Sequence, residues 1–138
     1  MIRVIIGKKG TGKTKTIIEL ANAAIDTEAG HVVVIERGDK LRFDISHRAR
    51  LIDSKEYDIK GYDMMIGFIS GIAAANYDIT HIFIDSIYKI SGDTDPSHLS
   101  QFIKELERLN SHCSIAFTIT ISEEPDNVDD TVRKYIFN

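Results

Sequence analysis

Gly7-Lys8-Lys9-Gly10-Thr11-Gly12-Lys13-Thr14 follows the apolar run Ile2 to Ile6 and leads into Lys13 to Asp26, where Ile17, Leu20, Ala21, Ala24 and Ile25 recur at helical spacing. The octapeptide fits G-x-x-x-x-G-K-[ST] at every fixed position, and it sits in the strand–turn–helix context that such a loop requires. Glycines let the backbone curl so that successive N–H groups face an anion, and the helix that follows adds its positive end. In such a loop Lys13 reaches the β- and γ-phosphates and the Thr14 hydroxyl holds Mg²⁺. Lys8, Lys9 and Lys15 either add positive field near those phosphates or stand as solvated surface lysines. The expected ligand is ATP with Mg²⁺, because the guanine-selecting N-K-x-D pattern is absent.

Outward from this loop, strand-like and helix-like segments alternate to the end of the chain. His31 to Ile35 is a β-branched run after the stop at Gly30, and Ala49 to Asp53 reads as a short third strand. A helix is expected within Gly61 to Asn76, from Met64, Met65, Phe68, Ile69 and Ile72. His81 to Asp85 reads as a buried strand. Asp95-Pro96 then marks a helix start, continued by Leu99, Phe102, Ile103, Leu106 and Leu109. Ser114 to Ile121 is the last strand, and Val132, Tyr135 and Ile136 suggest a short packed turn or helix. This alternation predicts a three-layer α/β/α sandwich with a mostly parallel sheet, residues 1–138 forming one nucleotide-binding domain. Ligands of such sheets sit at the carboxyl ends of the strands.

Those ends carry the remaining candidates. Ile82-Phe83-Ile84-Asp85 is an apolar strand ending in the aspartate that completes a Mg²⁺ site, usually through water. Many ATPases with an added central strand place glutamate directly after that aspartate, to orient the attacking water; here the position is Ser86, which puts efficient hydrolysis in doubt. Glu36, at the end of the second strand, is the substitute base, or else an exposed loop residue pairing with Arg37 or Lys40. Asp39 and Asp44 are weaker candidates. Thr118, Thr120 and Ser122 alternate with apolar residues as in a half-buried strand; between the two motif strands, one of these hydroxyls would sense the γ-phosphate. Arg37, Arg42, Arg48 and Arg50 cluster after the second strand, where an arginine binds substrate, serves as a finger across an oligomer interface, or does neither. The histidines lack metal-ligand spacing.

Charge is uneven. Residues 1–50 hold 10 Lys/Arg against 6 Asp/Glu, and residues 51–138 hold 7 against 15, so a basic first part meets an acidic remainder and the whole chain carries −4. That suits an anionic ligand and argues against a broad nucleic-acid face. The single cysteine, Cys113, and an N-terminus that enters a strand at once suggest a cytoplasmic setting, and the longest apolar stretch, Met64 to Ala75, is too short for a bilayer.

GKKGTGKT, VIERGDK, RLID, GYDMMIGFISG, NYDITHIFIDS and FTITIS together resemble a family of short bacterial P-loop proteins, over the whole chain. Its members are described as ATP-binding proteins or as twitching-motility (pilus-retraction) ATPases; pilus-retraction ATPases themselves share only the phosphate loop and are far longer. The order of elements is also similar to the core of type II thymidine kinases, without their zinc-binding cysteines and nucleoside-binding lasso. The resemblance implies a P-loop fold with the RecA-like strand order that separates the two motif strands. The function expected is ATP binding with slow or partner-dependent hydrolysis in an assembly or homo-oligomer. The alternatives are a small-molecule kinase with Glu36 as base, or a non-hydrolysing ATP-binding module. Lys13→Ala is expected to weaken Mg²⁺-dependent ATP binding by about 10- to 100-fold in a calorimetric titration, the worth of a charge-assisted phosphate contact.

Overall fold

The computed structural model describes residues 1–137. Five strands, β1 (Ile2–Gly7), β2 (His31–Glu36), β3 (Arg50–Asp53), β4 (Ile79–Ile84) and β5 (Ala116–Ser122), form one parallel sheet in the order β1-β5-β4-β2-β3. The last strand in sequence is thus inserted between the two motif strands β1 and β4. Helix α1 (Lys13–Thr27) covers one face, where Ile17, Ala21 and Ala24 pack on Ile5, Val34 and Phe83. Helices α2 (Gly61–Ala75), α3 (Ile87–Ser91), α4 (Pro96–Cys113) and α5 (Asp130–Arg133) belong to the other side, where the larger core gathers Leu99, Phe102, Ile103 and Leu106 against Phe117, Ile119 and Ile121. None of the helices described is long and apolar enough to cross a membrane.

Local signals account for most boundaries. Asp95 caps α4 by accepting from the N–H groups of Ser97 and His98, with Pro96 at the first position. At the other end Ser114 adopts φ +56 and hands its N–H to Asn110 O, so it closes α4 rather than opening the strand; β5 therefore starts at Ala116, not at Ser114. β4 begins two residues before His81, at Ile79. Helix α3 escapes the periodicity reading because five residues are too few to show a period. Val132 lies in α5 and Tyr135 in the turn that follows it, its N–H donating to Val132 O at 3.0 Å, while Ile136 bridges to β1: Val4 N–H donates to Tyr135 O at 2.8 Å and Phe137 N–H to Val4 O at 2.8 Å. This tail covers the outer edge of β1, and β3 is the edge at the other side.

Parallel pairing to both neighbours buries β5 on both faces, so the half-buried reading of its threonines gives way. Thr118 is 0% exposed and Thr120 1%, and each is hydrogen-bonded as burial demands. Thr118 belongs to a network at the amino ends of the strands. His81, 1% exposed, makes 2.8 Å contacts to Glu28 Oε2 through Nδ1 and to Thr118 Oγ1 through Nε2, and Thr80 Oγ1 donates to Glu28 Oε1. Burial pushes the His81 pKa down, against the opposing pull of Glu28. Burial alone would raise Glu28, but the hydrogen bonds from Thr80 and His81 outweigh it and hold its carboxyl below the usual range. The set is coherent with neutral His81 donating from Nδ1 to ionised Glu28 and accepting from Thr118 at Nε2.

A histidine whose folded pKa lies below its unfolded value of about 6.5 contributes stability that is full above that pH and lost as pH falls toward the folded value. The urea midpoint is therefore expected to fall between pH 7 and pH 5. His81→Asn, although less stable at pH 7, should lack that part of the slope.

Candidate functional site

The strand register assembles the site. Ile84 pairs with Ile119 on one side and Ile35 on the other, and Glu36 pairs with Asp53. One residue past those isoleucines, Thr120, Asp85, Glu36 and Asp53 stand side by side across β5, β4, β2 and β3. They continue the face of Val34 and Phe83, toward α1. The first residues of α1 reach this row beside β4: Thr14 Oγ1 lies 3.2 Å from Asp85 Oδ2. Thr120 Oγ1 donates to Asp85 Oδ1 at 2.6 Å and accepts from Ser86 N–H at 2.7 Å. Ser86 can take the φ of +60 that starts α3 because this hydrogen bond and the bond from Lys89 N–H to Ser86 O hold it there.

Gly10 and Gly12, at φ +84 and +85, give the loop its curl, and Gly12 is the residue before α1. Lys13 Nζ donates back across the loop to Lys8 O at 2.8 Å, and Thr11 Oγ1 to the same carbonyl at 2.7 Å. Desolvation lowers the Lys13 pKa, partly countered by the charge of Asp85. In front of Lys13 and Thr14 opens a cavity of about 370 Å³, with Lys9, Gly10 and Gly12 on the loop side and Ser86, Tyr88 and Lys89 of the α3 segment in its wall. Thr120 and Ser122 complete it from β5, and no carboxylate among the described residues lines it. Lys8 is drawn away to an exposed ion pair with Glu124 at 2.9 Å, and exposed Lys15 lies outside the lining. Two hard oxygen ligands, Thr14 Oγ1 and Asp85, meet beside this loop, which is the donor set that Mg²⁺ takes. The residues present therefore fit both a triphosphate and its metal.

Glu36 is 4% exposed and its Oε2 accepts from Leu41 N–H at 3.1 Å, which pins the turn after β2. It is not an exposed partner of Arg37 or Lys40. Burial raises its pKa, backbone N–H groups of Leu41 and Lys40 oppose this, and the charges of Asp85 and Asp53 add to the rise. Its cavity is a second one of about 340 Å³, shared with Arg42, Arg50 and Asp53, rather than that of the loop. Arg48 is engaged by Asp26 at the end of α1, and Arg42 pairs with Asp39 at 3.5 Å while lying over the Phe43 ring. Asp44 sits in the turn following β2, where its backbone carbonyl accepts from Asn22 of α1. Among these side chains the sequence reading did not foresee Tyr88 and Lys89, since α3 itself was not legible.

Thr120→Val keeps the shape and removes the hydroxyl, leaving Ser86 N–H and one oxygen of Asp85 without their partner. A loss of about 1–3 kcal/mol in urea unfolding is expected, with most of it restored in Thr120→Ser.

No curated protein matches the chain. The sequence pattern of one family does, over residues 4–137, nearly the full length, and it carries nucleotide binding but no link to pilus retraction. With a parallel sheet, a glycine-rich loop between β1 and α1, and an aspartate ending β4 beside it, the match and the fold agree: this ATP-binding P-loop protein belongs to the ATPase family associated with various cellular activities (AAA).

Proposed function

We propose that the chain is a nucleotide-gated switch that holds ATP and hydrolyses it slowly until a protein partner, or a second copy of the chain, completes the site. The observation that carries this reading is the wall of the loop cavity, which among the described residues offers cations and hydroxyls but no carboxylate. Both oxygens of Asp85 accept hydrogen bonds from threonines, the next residue is serine, and the Glu36 carboxylate holds the turn after β2. Proton transfer to a positioned base contributes roughly 10²- to 10⁴-fold to such reactions, so its absence leaves binding intact and turnover low.

In this reading Gly7 to Thr14 wrap the phosphates with backbone N–H groups. Lys13 exchanges its bond to the Lys8 carbonyl for one to the phosphates, and its depressed pKa reflects the dehydrated position from which it does so. Mg²⁺, held by Thr14 and Asp85, supplies positive charge at the phosphate oxygens. Thr120 keeps Asp85 aligned and passes its state to Ser86 and so to α3. A cytoplasmic setting agrees with Cys113 standing as an exposed free thiol.

A second reading has one observation of its own. Glu36, with its raised pKa, lines a cavity beside Asp85 that also holds Arg42 and Arg50, the layout of an acceptor pocket in a small-molecule kinase. A module that binds ATP without ever turning it over is the limiting case of the first reading.

Single-turnover measurements separate these. The switch reading expects Mg²⁺-ATP to be bound and its γ-phosphate released at a rate on the order of 10⁻³ s⁻¹ or below, as in P-loop proteins that lack a catalytic group. Rapid release by the isolated chain would overturn it and point to Glu36. Glu36→Gln is then expected to abolish transfer while ATP affinity stays within about twofold.

A further inference from the structure

The sheet edge opposite β1 carries a groove that shares no residue with the loop cavity. β3 is only four residues long and pairs with Val33 to Glu36 of β2, so His31 and Val32 have no strand beside them on that side. Between these strands and α2 opens a cavity of about 480 Å³. Val33, Ile52 and Ile79 line it from the sheet, and Phe68, Ile72 and Ala75 from α2. Phe68 and Ile72 are only half-buried, and Tyr57, in the 3₁₀ turn after β3, stands 48% exposed beside Phe68 with ring centroids 5.5 Å apart. Apolar surface is thus left open to water inside a concave wall.

The charge on that wall has one sign. Arg48 and Arg50 border it with His31 and Asn76, and no carboxylate among the described residues does. Arg48 is engaged by Asp26, and His31 Nδ1 lies 2.9 Å from Asn76 Nδ2. The exposed Arg50 side chain forms no hydrogen bond or ion pair among the described residues, in a chain where 21 Asp/Glu face 17 Lys/Arg. A concave, mostly apolar wall with a few polar groups at its rim is the form that small-molecule sites take. The head group such a rim prefers is an anion that accepts from the guanidinium fork, and the floor prefers a hydrocarbon body.

We propose that this groove binds a medium-chain aliphatic carboxylic acid, one molecule at a time from solution, with its carboxylate on Arg50 and its chain between Ile52 and the Phe68–Ile72 face of α2. The groove stands apart from the phosphate loop, so its occupancy does not depend on nucleotide. Arg50, Ile52 and Tyr57 belong to the wall of the Glu36 cavity as well, so a bound acid would stiffen the strand whose last residue, Asp53, is the cross-strand neighbour of Glu36.

The test titrates sodium decanoate, kept below its micelle concentration, into the isotope-labelled full chain while NMR follows the backbone amides. Saturable binding to one site is expected, with shifts centred on Ile52, Phe68, Ile72 and Ala75, and each methylene added from octanoate to decanoate should tighten it by about fourfold. Decyltrimethylammonium, the same chain with the opposite charge, should bind about tenfold more weakly. Arg50→Glu is expected to weaken decanoate by about tenfold and Arg50→Lys by no more than about threefold. Ala75→Leu fills the groove from the exposed side of α2, and should cost about tenfold in affinity without lowering the melting temperature. Equal affinity for the anionic and cationic chains overturns the proposal, as does decanoate binding that survives both Arg50→Glu and Ala75→Leu. So does a natural chain that sediments as a dimer and becomes a monomer in Ala75→Arg, because a second copy then covers the groove.

Discussion

The carboxylate of Asp85 is the group around which the rest of the site is arranged. It directly follows a strand buried at every residue but Thr80, is itself 6% exposed, and would be costly there without partners. Thr14 from the first turn of α1 and Thr120 from β5 supply one hydrogen bond each, and Thr120 extends the chain to the backbone of Ser86. Three segments far apart in sequence are thereby held at one point: the loop helix, the inserted strand and the start of α3. Removing either hydroxyl leaves a buried acceptor short, which is why a threonine rather than a valine stands at position 120 between Ile119 and Ile121.

The elements legible from sequence are those with a local cause. The phosphate loop is a backbone conformation written in glycines, and α4 announces itself through an aspartate cap, a proline and an unbroken apolar period. The strand β4 with its terminal aspartate was visible because a strand buried on both faces reads as a continuous apolar run. What stayed hidden depends on contacts made across the sheet. Thr118 and Thr120 look like an alternating, half-wet strand until β5 is known to lie between β1 and β4, where their hydroxyls meet His81 and Asp85. Glu36 could be read either as a base facing the crevice or as an exposed loop carboxylate pairing with Arg37 or Lys40, because nothing in sequence shows that Leu41 folds back to donate to it. Helix α3 begins at a serine in a left-handed conformation, which composition does not announce.

Like charges crowd the carboxyl edge of the sheet, where Asp85, Glu36 and Asp53 are cross-strand neighbours. The arrangement persists because each carboxylate serves as an acceptor for a chain that must turn just there. Asp85 takes the two threonine hydroxyls, Glu36 the N–H of Leu41, and Asp53 the N–H groups of Gly38 and Lys55. At Glu36, the middle member, burial raises the proton affinity and the charges of Asp85 and Asp53 add to the rise. On the loop side the balance is reversed, with lysines and hydroxyls facing the cavity. The two cavities at this edge thus differ in character although they share one row of residues.

The strand order also has a consequence for how the chain reaches this state. Among the described residues β1 pairs within the sheet only with β5, so that Ile2 waits for Phe117 and Gly7 for Ser122, and its outer edge is covered by Tyr135 to Phe137. As the polypeptide leaves the ribosome, the phosphate loop emerges well before β5, and the strand that carries it has no neighbour in the sheet until β5 has been made. Closing so large a loop is entropically slow, and the exposed strand is a hazard meanwhile. An ability to grip nucleotide therefore waits for β5, and a chain interrupted before that strand, however much of the motif it carries, remains without a site.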